Sequence, residues 1–255
     1  PTASWEPRPG SRPPVPEPYL YLEDPELAET KQFVEDQNEL TQYVLGQCGH
    51  RGDYNSLMTS LYDYPKRGLP FRKGPMWYQF HNPGLLAQSR LLVSDEPAAE
   101  GSVLLDPNLM SEDGTVALST YSFSECGSLL AYATSSGGSD WVEVNVADLV
   151  QSPEGPKAEL RAAEVLKWVK FTSLAWTHDA VGFFYNAYPA PELKGGEAGT
   201  EVGSNQQQRL LYHRLGTPQE EDVVLWQAPE AHPTWMASAE VSDCGEWLPV
   251  YVSGG

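Results

Sequence analysis

The stretch "FTSLAWTHDAVGFFYNAYP" sets a histidine beside an aspartate, His178 and Asp179. An imidazole held by a carboxylate is the usual core of general-base catalysis. Adjacent residues of a strand point to opposite faces, and side chains in a tight turn diverge, so this pair cannot easily form. Aspartate also forms turns by accepting hydrogen bonds from nearby backbone N–H groups. His178 and Asp179 therefore read as a turn between two strands.

No other constellation supplies a nucleophile or a metal site. An α/β-type serine hydrolase would carry G-x-S-x-G after a strand. Ser139 stands in "GGSDW" and Ser253 in "VSGG", and neither completes that motif. HExxH, the Walker A loop and the dinucleotide fingerprint are absent. The histidines His50, His81, His178, His213 and His232 lack metal-ligand spacing. Cys48, Cys126 and Cys244 are far apart, which fits a reducing compartment better than a disulfide framework. No electropositive neighbourhood is visible around them, so they read as inert thiols. Asp140 and Asp243 read as turn residues, and Trp176 and Trp235 as core.

The elements around these residues are of two kinds. After a Pro-rich lead, "EDPELAETKQFVEDQNELTQYVLGQC" has helical spacing, with Asp24 as cap, Pro25 in the first turn and Gly46 as stop. Leu27, Phe33, Val34, Leu40, Tyr43 and Val44 fall roughly on one face, which needs an apolar surface to rest on. A second short helix over "YNSLMTSLYDY" ends before Pro65. From there to residue 255 the chain reads as short strands broken by Gly, Pro, Asp and Asn, an all-β pattern.

Three segments repeat one design: "YSFSECGSLLAYATSSGGSDW", "LAWTHDAVGFFYNAYP" and "AEVSDCGEWLPVYVSGG". Each runs from an apolar lead through Ser or Thr and a turn into a Tyr-containing strand. Gly127, Ala180 and Gly245 mark the turns, about 50 to 65 residues apart, with a weaker echo at Gly74. Four strands per ~50 residues is the size of a propeller blade. A β-sandwich with chance recurrence of a hairpin is the competing reading. The polar, Gly-rich "PELKGGEAGTEVGSNQQQ" reads as a long exposed loop.

The totals exclude some functions. A net charge of −19 repels phosphate backbones and offers no polybasic contact with anionic lipid, so neither nucleic acid nor membrane is an expected partner. No apolar run approaches the ~20 residues of a membrane span. These features suit a cytoplasmic protein.

The strings "EPYLYLEDPELAETKQFVEDQNELT" and "RGDYNSLMTSLYDYPKRGLPFRKG", followed by "LLDPNLMSEDGTVAL", "VKFTSLAWTHDAVGFFYNAYP" and "QRLLYHRLGTPQEEDVV", resemble prolyl oligopeptidase, in family order. The resemblance implies a mainly β fold: a partial seven-bladed-type β-propeller of about three to four blades behind a short helical segment. Residues 1–14 would be a disordered lead. Residues 15–65 would be the helical segment that packs on a C-terminal α/β-hydrolase domain outside this chain, and 66–255 the partial propeller. The implied reaction is serine-type cleavage of short peptides after proline, with no cofactor and no metal. The Ser-Asp-His triad would lie in the hydrolase domain, so these 255 residues alone are expected to be inactive. They would supply gating, size exclusion and part of the cleft for short proline-containing peptides, with residues 194–205 as a loop bordering it. Phe171 and Met236 match cleft residues. Tyr21 replaces a family Trp, Ser119 and the region of Ser253 lack family arginines, and Pro249 falls within the expected last strand. A truncated or degenerate propeller acting as a non-catalytic binding module is the alternative.

Overall fold

The structure is a computed structural model that describes residues 17–97, 99–153, 155–190 and 205–254. The lead of residues 1–14, and all of the 194–205 loop except Asn205, lie outside them. The chain divides into two compact units.

The N-terminal unit is built on two helices, α1 (Ala28–Gly46) and α2 (Arg51–Tyr62). Asp24 does not cap α1: its carboxylate accepts from the N–H of Glu26 at 2.9 Å, a local turn that delays the helix to Ala28. Gly46 is the last helical residue, as expected. Thr30 donates to the carbonyl of Tyr21 at 2.8 Å, and the Tyr21 ring meets Phe33 edge-on, which folds the lead-in back onto α1. The guanidinium of Arg51 bonds Gln42 and ties α2 to α1. Val34, Leu40, Tyr43, Leu57, Met58 and Leu61 remain exposed, so the apolar faces of both helices are open.

The second unit is a run of antiparallel meanders. β1 (Lys66–Arg67) and β2 (Phe71–Lys73) both pair β3 (Met76–Asn82) and are one strand interrupted at Pro70, whose ring removes a ladder donor. β4 (Arg90–Ser94) and β5 (Ser102–Leu105) complete the first blade. β6 (Ala117–Phe123), β7 (Leu129–Ser135), β8 (Val142–Ser152) and β9 (Gly155–Val169) form the second. The third is β10 (Ala175–Trp176), β11 (Gly182–Ala187), β12 (Arg209–Arg214) and β13 (Val223–Gln227). A single bridge, Val169 to Ala187, joins the second blade to the third. β14 (Met236–Ala239) and β15 (Val250–Ser253) open a fourth. Pro249 precedes β15, and its carbonyl accepts from Glu240, so the ladder loses no donor.

The core lies between blades. Along β7, Leu130 and Tyr132 enter a cluster with Tyr78, Leu91 and Phe123 of the first interface. Leu129, Ala131 and Ala133, on the opposite face, enter a cluster with Trp176, Phe183 and Tyr185. One strand thus feeds two cores through its two-residue side-chain period. Trp176 is core as expected and its indole N–H donates to the Ser122 carbonyl at 2.9 Å. Trp235 is not core: it is half-buried ahead of β14 and stacks on His232 at 4.3 Å.

The recurring turns have one geometry. Ser124, Thr177 and Ser242 each exchange hydrogen bonds with the residue five positions on, and each carbonyl accepts from the residue three on. The hydroxyls accept from Leu129, Gly182 and Trp247 at 3.0, 3.3 and 3.1 Å. The fourth residue, Gly127, Ala180 or Gly245, has φ of 73°, 55° or 74°. Gly74, with φ of 55°, serves the tighter turn between β2 and β3. A Cβ at Gly74 would sit 2.7 Å from the Cys126 carbonyl oxygen, so the first two turns touch as backbone.

A polar bond set locks the second blade to the third. His213 on β12, 1% exposed, bonds Glu164 on β9 at 2.7 Å through Nε2 and Asp222 at 2.8 Å through Nδ1. The Tyr185 hydroxyl donates to Asp222 at 2.7 Å, and the Gly216 N–H to Glu164 at 2.6 Å. Burial pushes the His213 pKa down, but its bonds to the two carboxylates and their charge outweigh this and hold it above the ordinary imidazole value. An imidazolium between two carboxylates results.

Candidate functional site

A meander puts its turns at alternate ends. The recurring turns close one end of the blades. The links from second to third strand, and from blade to blade, gather at the other rim. That rim receives residues 136–141 after β7, 170–174 after β9, 188–190 after β11, and 228–235 before β14. Phe171 and Met236 therefore share a rim although 65 positions separate them.

Phe171 stands in the link from β9 to β10, with φ of 51° and 47% exposure. A left-handed backbone is costly for a bulky residue, and it turns this ring outward instead of into the core. Beneath it lies Lys170, 6% exposed, whose Nζ donates to Asn205 at 3.0 Å and sits 4.7 Å over the ring of Trp141. Tyr188 meets Phe171 edge-on at 6.5 Å. Met236 opens β14, paired with Ser253, and is 37% exposed.

The fully buried Asn186 joins the two positions. Its side-chain carbonyl accepts from the N–H and hydroxyl of Ser173, two residues after Phe171, at 3.1 and 3.2 Å. Its amide donates to the carbonyl of Ala237, the neighbour of Met236, at 2.9 Å. Gln208 accepts from the Ala237 N–H at 2.7 Å. These positioning residues were missed in the sequence, because Asn186 and Ala237 are 51 residues apart and a lone Asn in a strand carries no motif.

An open concavity of about 590 Å³ runs along the inner strands, between Tyr121, Phe123 and Trp176 on one side and Ala239, Glu240 and Asp243 on another. His178 lines it, and its ring packs against the turn at Gly245. Asp179 instead accepts from the Thr177 hydroxyl at 2.6 Å and the Val181 N–H at 3.1 Å, which lowers its pKa. It is a turn former, as expected.

Two of the thiols sit at the recurring turns. Cys126 lies within 3.5 Å of the Ser124 hydroxyl and 3.0 Å of Ser128, and these bonds hold its pKa below the ordinary thiol value. Cys244 lies 3.2 Å from the Ser242 hydroxyl and is lowered for the same reason. Among the described residues no cluster of three or more His, Cys, Asp or Glu could hold a metal. No described helix is long and apolar enough to cross a membrane.

The family model described as "Prolyl oligopeptidase, N-terminal beta-propeller domain" matches residues 7–255. Prolyl oligopeptidase A of Amanita bisporigera is 36% identical over 252 residues, covering 93% of this chain and 33% of the relative. A prolyl endopeptidase of Elizabethkingia meningoseptica is 35% identical over 236 residues, covering 92% and 32%. Among solved structures, prolyl oligopeptidase B from Galerina marginata bound to a 25mer macrocyclization substrate superposes with a TM-score of 0.83. It is 30% identical, and the match covers 99% of this chain and 36% of that one. The chain spans about a third of the length of these relatives. With three stacked four-stranded meanders, the opening pair of a fourth and a family match over nearly its whole length, the chain belongs to the N-terminal β-propeller domain family of the prolyl oligopeptidases.

Proposed function

We propose that this chain is the N-terminal and propeller part of a cytoplasmic serine oligopeptidase that cleaves short peptides after proline. Residues 1–14 are a lead, 15–65 the segment that packs on a C-terminal α/β-hydrolase domain, and 66–255 the partial propeller. The exposed apolar faces of α1 and α2 support a docking role for that segment. The rim of the propeller forms one wall of the peptide cleft, with Phe171 and Met236 against the substrate. Half-enclosed between rim and hydrolase, the site admits flexible peptides and excludes folded proteins.

The observation that carries this reading is Phe171. Its ring is held outward by a left-handed backbone over a buried lysine, on the same rim as Met236. Strain of that kind persists only where the surrounding structure holds it, and it clusters at ligand sites. The relatives that share the fold are named as prolyl peptidases.

The test is hydrolysis of a blocked Gly-Pro amide by the full-length protein and by the 255-residue chain alone. Turnover by the full-length protein and none by the chain is the expected result. An inactive full-length protein that still binds proline peptides would replace the enzyme with a binding module. Turnover by the chain alone would overturn the division of labour.

A further inference from the structure

The strand that leads to Phe171 is irregular near its end. On β8 only Glu143 stands between Val142 and Val144, whereas on β9 both Lys167 and Trp168 stand between their partners, Val169 and Leu166. Two residues opposing one make a β-bulge, and Trp168 carries its left-handed backbone, with φ of 58°. A bulge bends its strand and re-aims the side chains beside it. This one sits just before the link that carries Phe171, and it leaves the peptide groups of Lys167 outside the β8 ladder.

A side chain from another blade takes up those groups. Gln219 lies on residues 215–222, the link from β12 to β13. Its Oε1 accepts from the Lys167 N–H at 2.9 Å and its Nε2 donates to the Lys167 carbonyl at 2.9 Å, the two bonds a neighbouring strand residue would make. Chemistry fixes the direction of the amide. The Tyr185 hydroxyl gives its one proton to Asp222 at 2.7 Å, so it can only accept from Gln219, whose Nε2 lies 3.1 Å away. Asp222, its side chain fully buried, is held in turn by His213. The same link grips β9 a second time, through the Gly216 N–H and Glu164. A surface turn asks none of this of its side chains, and glutamine is not among the turn-forming types.

We propose that Gln219 is a positioning residue for the peptide cleft: by clamping the β9 bulge it sets the direction in which the chain leaves β9, and so the place of Phe171 on the rim. The inference rests on the rim being the cleft wall and goes beyond it by naming a residue that acts on that wall from another blade without touching the peptide. Gln219→Glu keeps the shape and can still accept from the Lys167 N–H. It cannot donate to the Lys167 carbonyl, and it sets a carboxylate oxygen against the Tyr185 hydroxyl oxygen beside Asp222. Gln219→Met keeps the length and makes neither bond.

The test is steady-state hydrolysis by the full-length protein of two reporter amides, a blocked Ala-Ala-Gly-Pro long enough to reach the rim and a blocked proline that stops short of it. Gln219→Glu should lower kcat/KM for the long peptide relative to the short one by about threefold to tenfold, the cost of one or two lost hydrogen bonds. The loss should lie in KM, with kcat for the long peptide within about twofold, because the clamp acts on binding and not on the reacting atoms. Gln219→Met should give the same split, and decides the matter if the glutamate variant does not fold. Equal losses for both peptides, a loss confined to kcat, or no loss in a folded variant overturns the positioning role. Phe171→Gly, which suits the positive φ, reports on the cleft reading separately. If it lowers the long-to-short ratio while the Gln219 variants do not, the cleft reading stands and this inference falls. If it leaves the ratio where it was, the cleft reading falls as well.

Discussion

At the scale of single residues, the recurring turn is the clearest case of sequence becoming structure. Ser or Thr at its first position supplies a hydroxyl to a backbone N–H, and the fourth position takes a left-handed backbone. Gly127 also abuts Gly74, where an added Cβ would meet backbone at 3.0 Å. Gly127→Ala should therefore lower stability by about 1–3 kcal/mol in urea denaturation. Ala180 fills the same position, but its methyl packs against the cluster between the second and third blades. Ala180→Gly should thus change stability by less than about 1 kcal/mol, because relieved strain and lost burial oppose each other. A loss at Ala180→Gly as large as at Gly127→Ala would contradict this account. These turns were legible because their residues are neighbours in the chain. Asn186 and Gln208 were not, since each finds its partner only after the blades stack.

At the scale of elements, the seam between the second and third blades rests on His213. His213 has a folded pKa above its unfolded value of about 6.5. Its contribution to stability is full below the unfolded value and is lost as pH rises through the folded one. The denaturation midpoint should fall across that interval, and His213→Gln should remove most of the slope. The same variant should cost about 3–5 kcal/mol below pH 6, since it leaves two buried carboxylates without their cation. A midpoint that rises with pH there would overturn the charge assignment. Helix and strand types were legible from spacing, and so was the stop of α1 at Gly46. Its start was not, because an aspartate before a proline signals a turn as readily as a cap, and here the turn prevails.

At the scale of the whole molecule, blade order could be read from four turns about 50–65 residues apart, each opening a meander. The rim could not, because it is a product of stacking: residues from separate blades meet there without any shared pattern. Stacking also explains an exposed strand. Val250, Tyr251 and Val252 on β15 are 40%, 55% and 45% exposed, with apolar surface and a ladder edge open to pairing. The isolated chain should self-associate in a concentration-dependent way, and Val252→Lys should shift it toward monomer in sedimentation velocity.

The central claim, that the rim bearing Phe171 and Met236 faces the peptide, has a direct test. A proline peptide carrying a photoreactive group two residues before the proline is bound to the full-length protein, irradiated and mapped by mass spectrometry. Crosslinks from this chain at Phe171 or Met236 are the predicted result. Crosslinks confined to the opposite end, at the turns of Gly74, Gly127, Ala180 and Gly245, would contradict it.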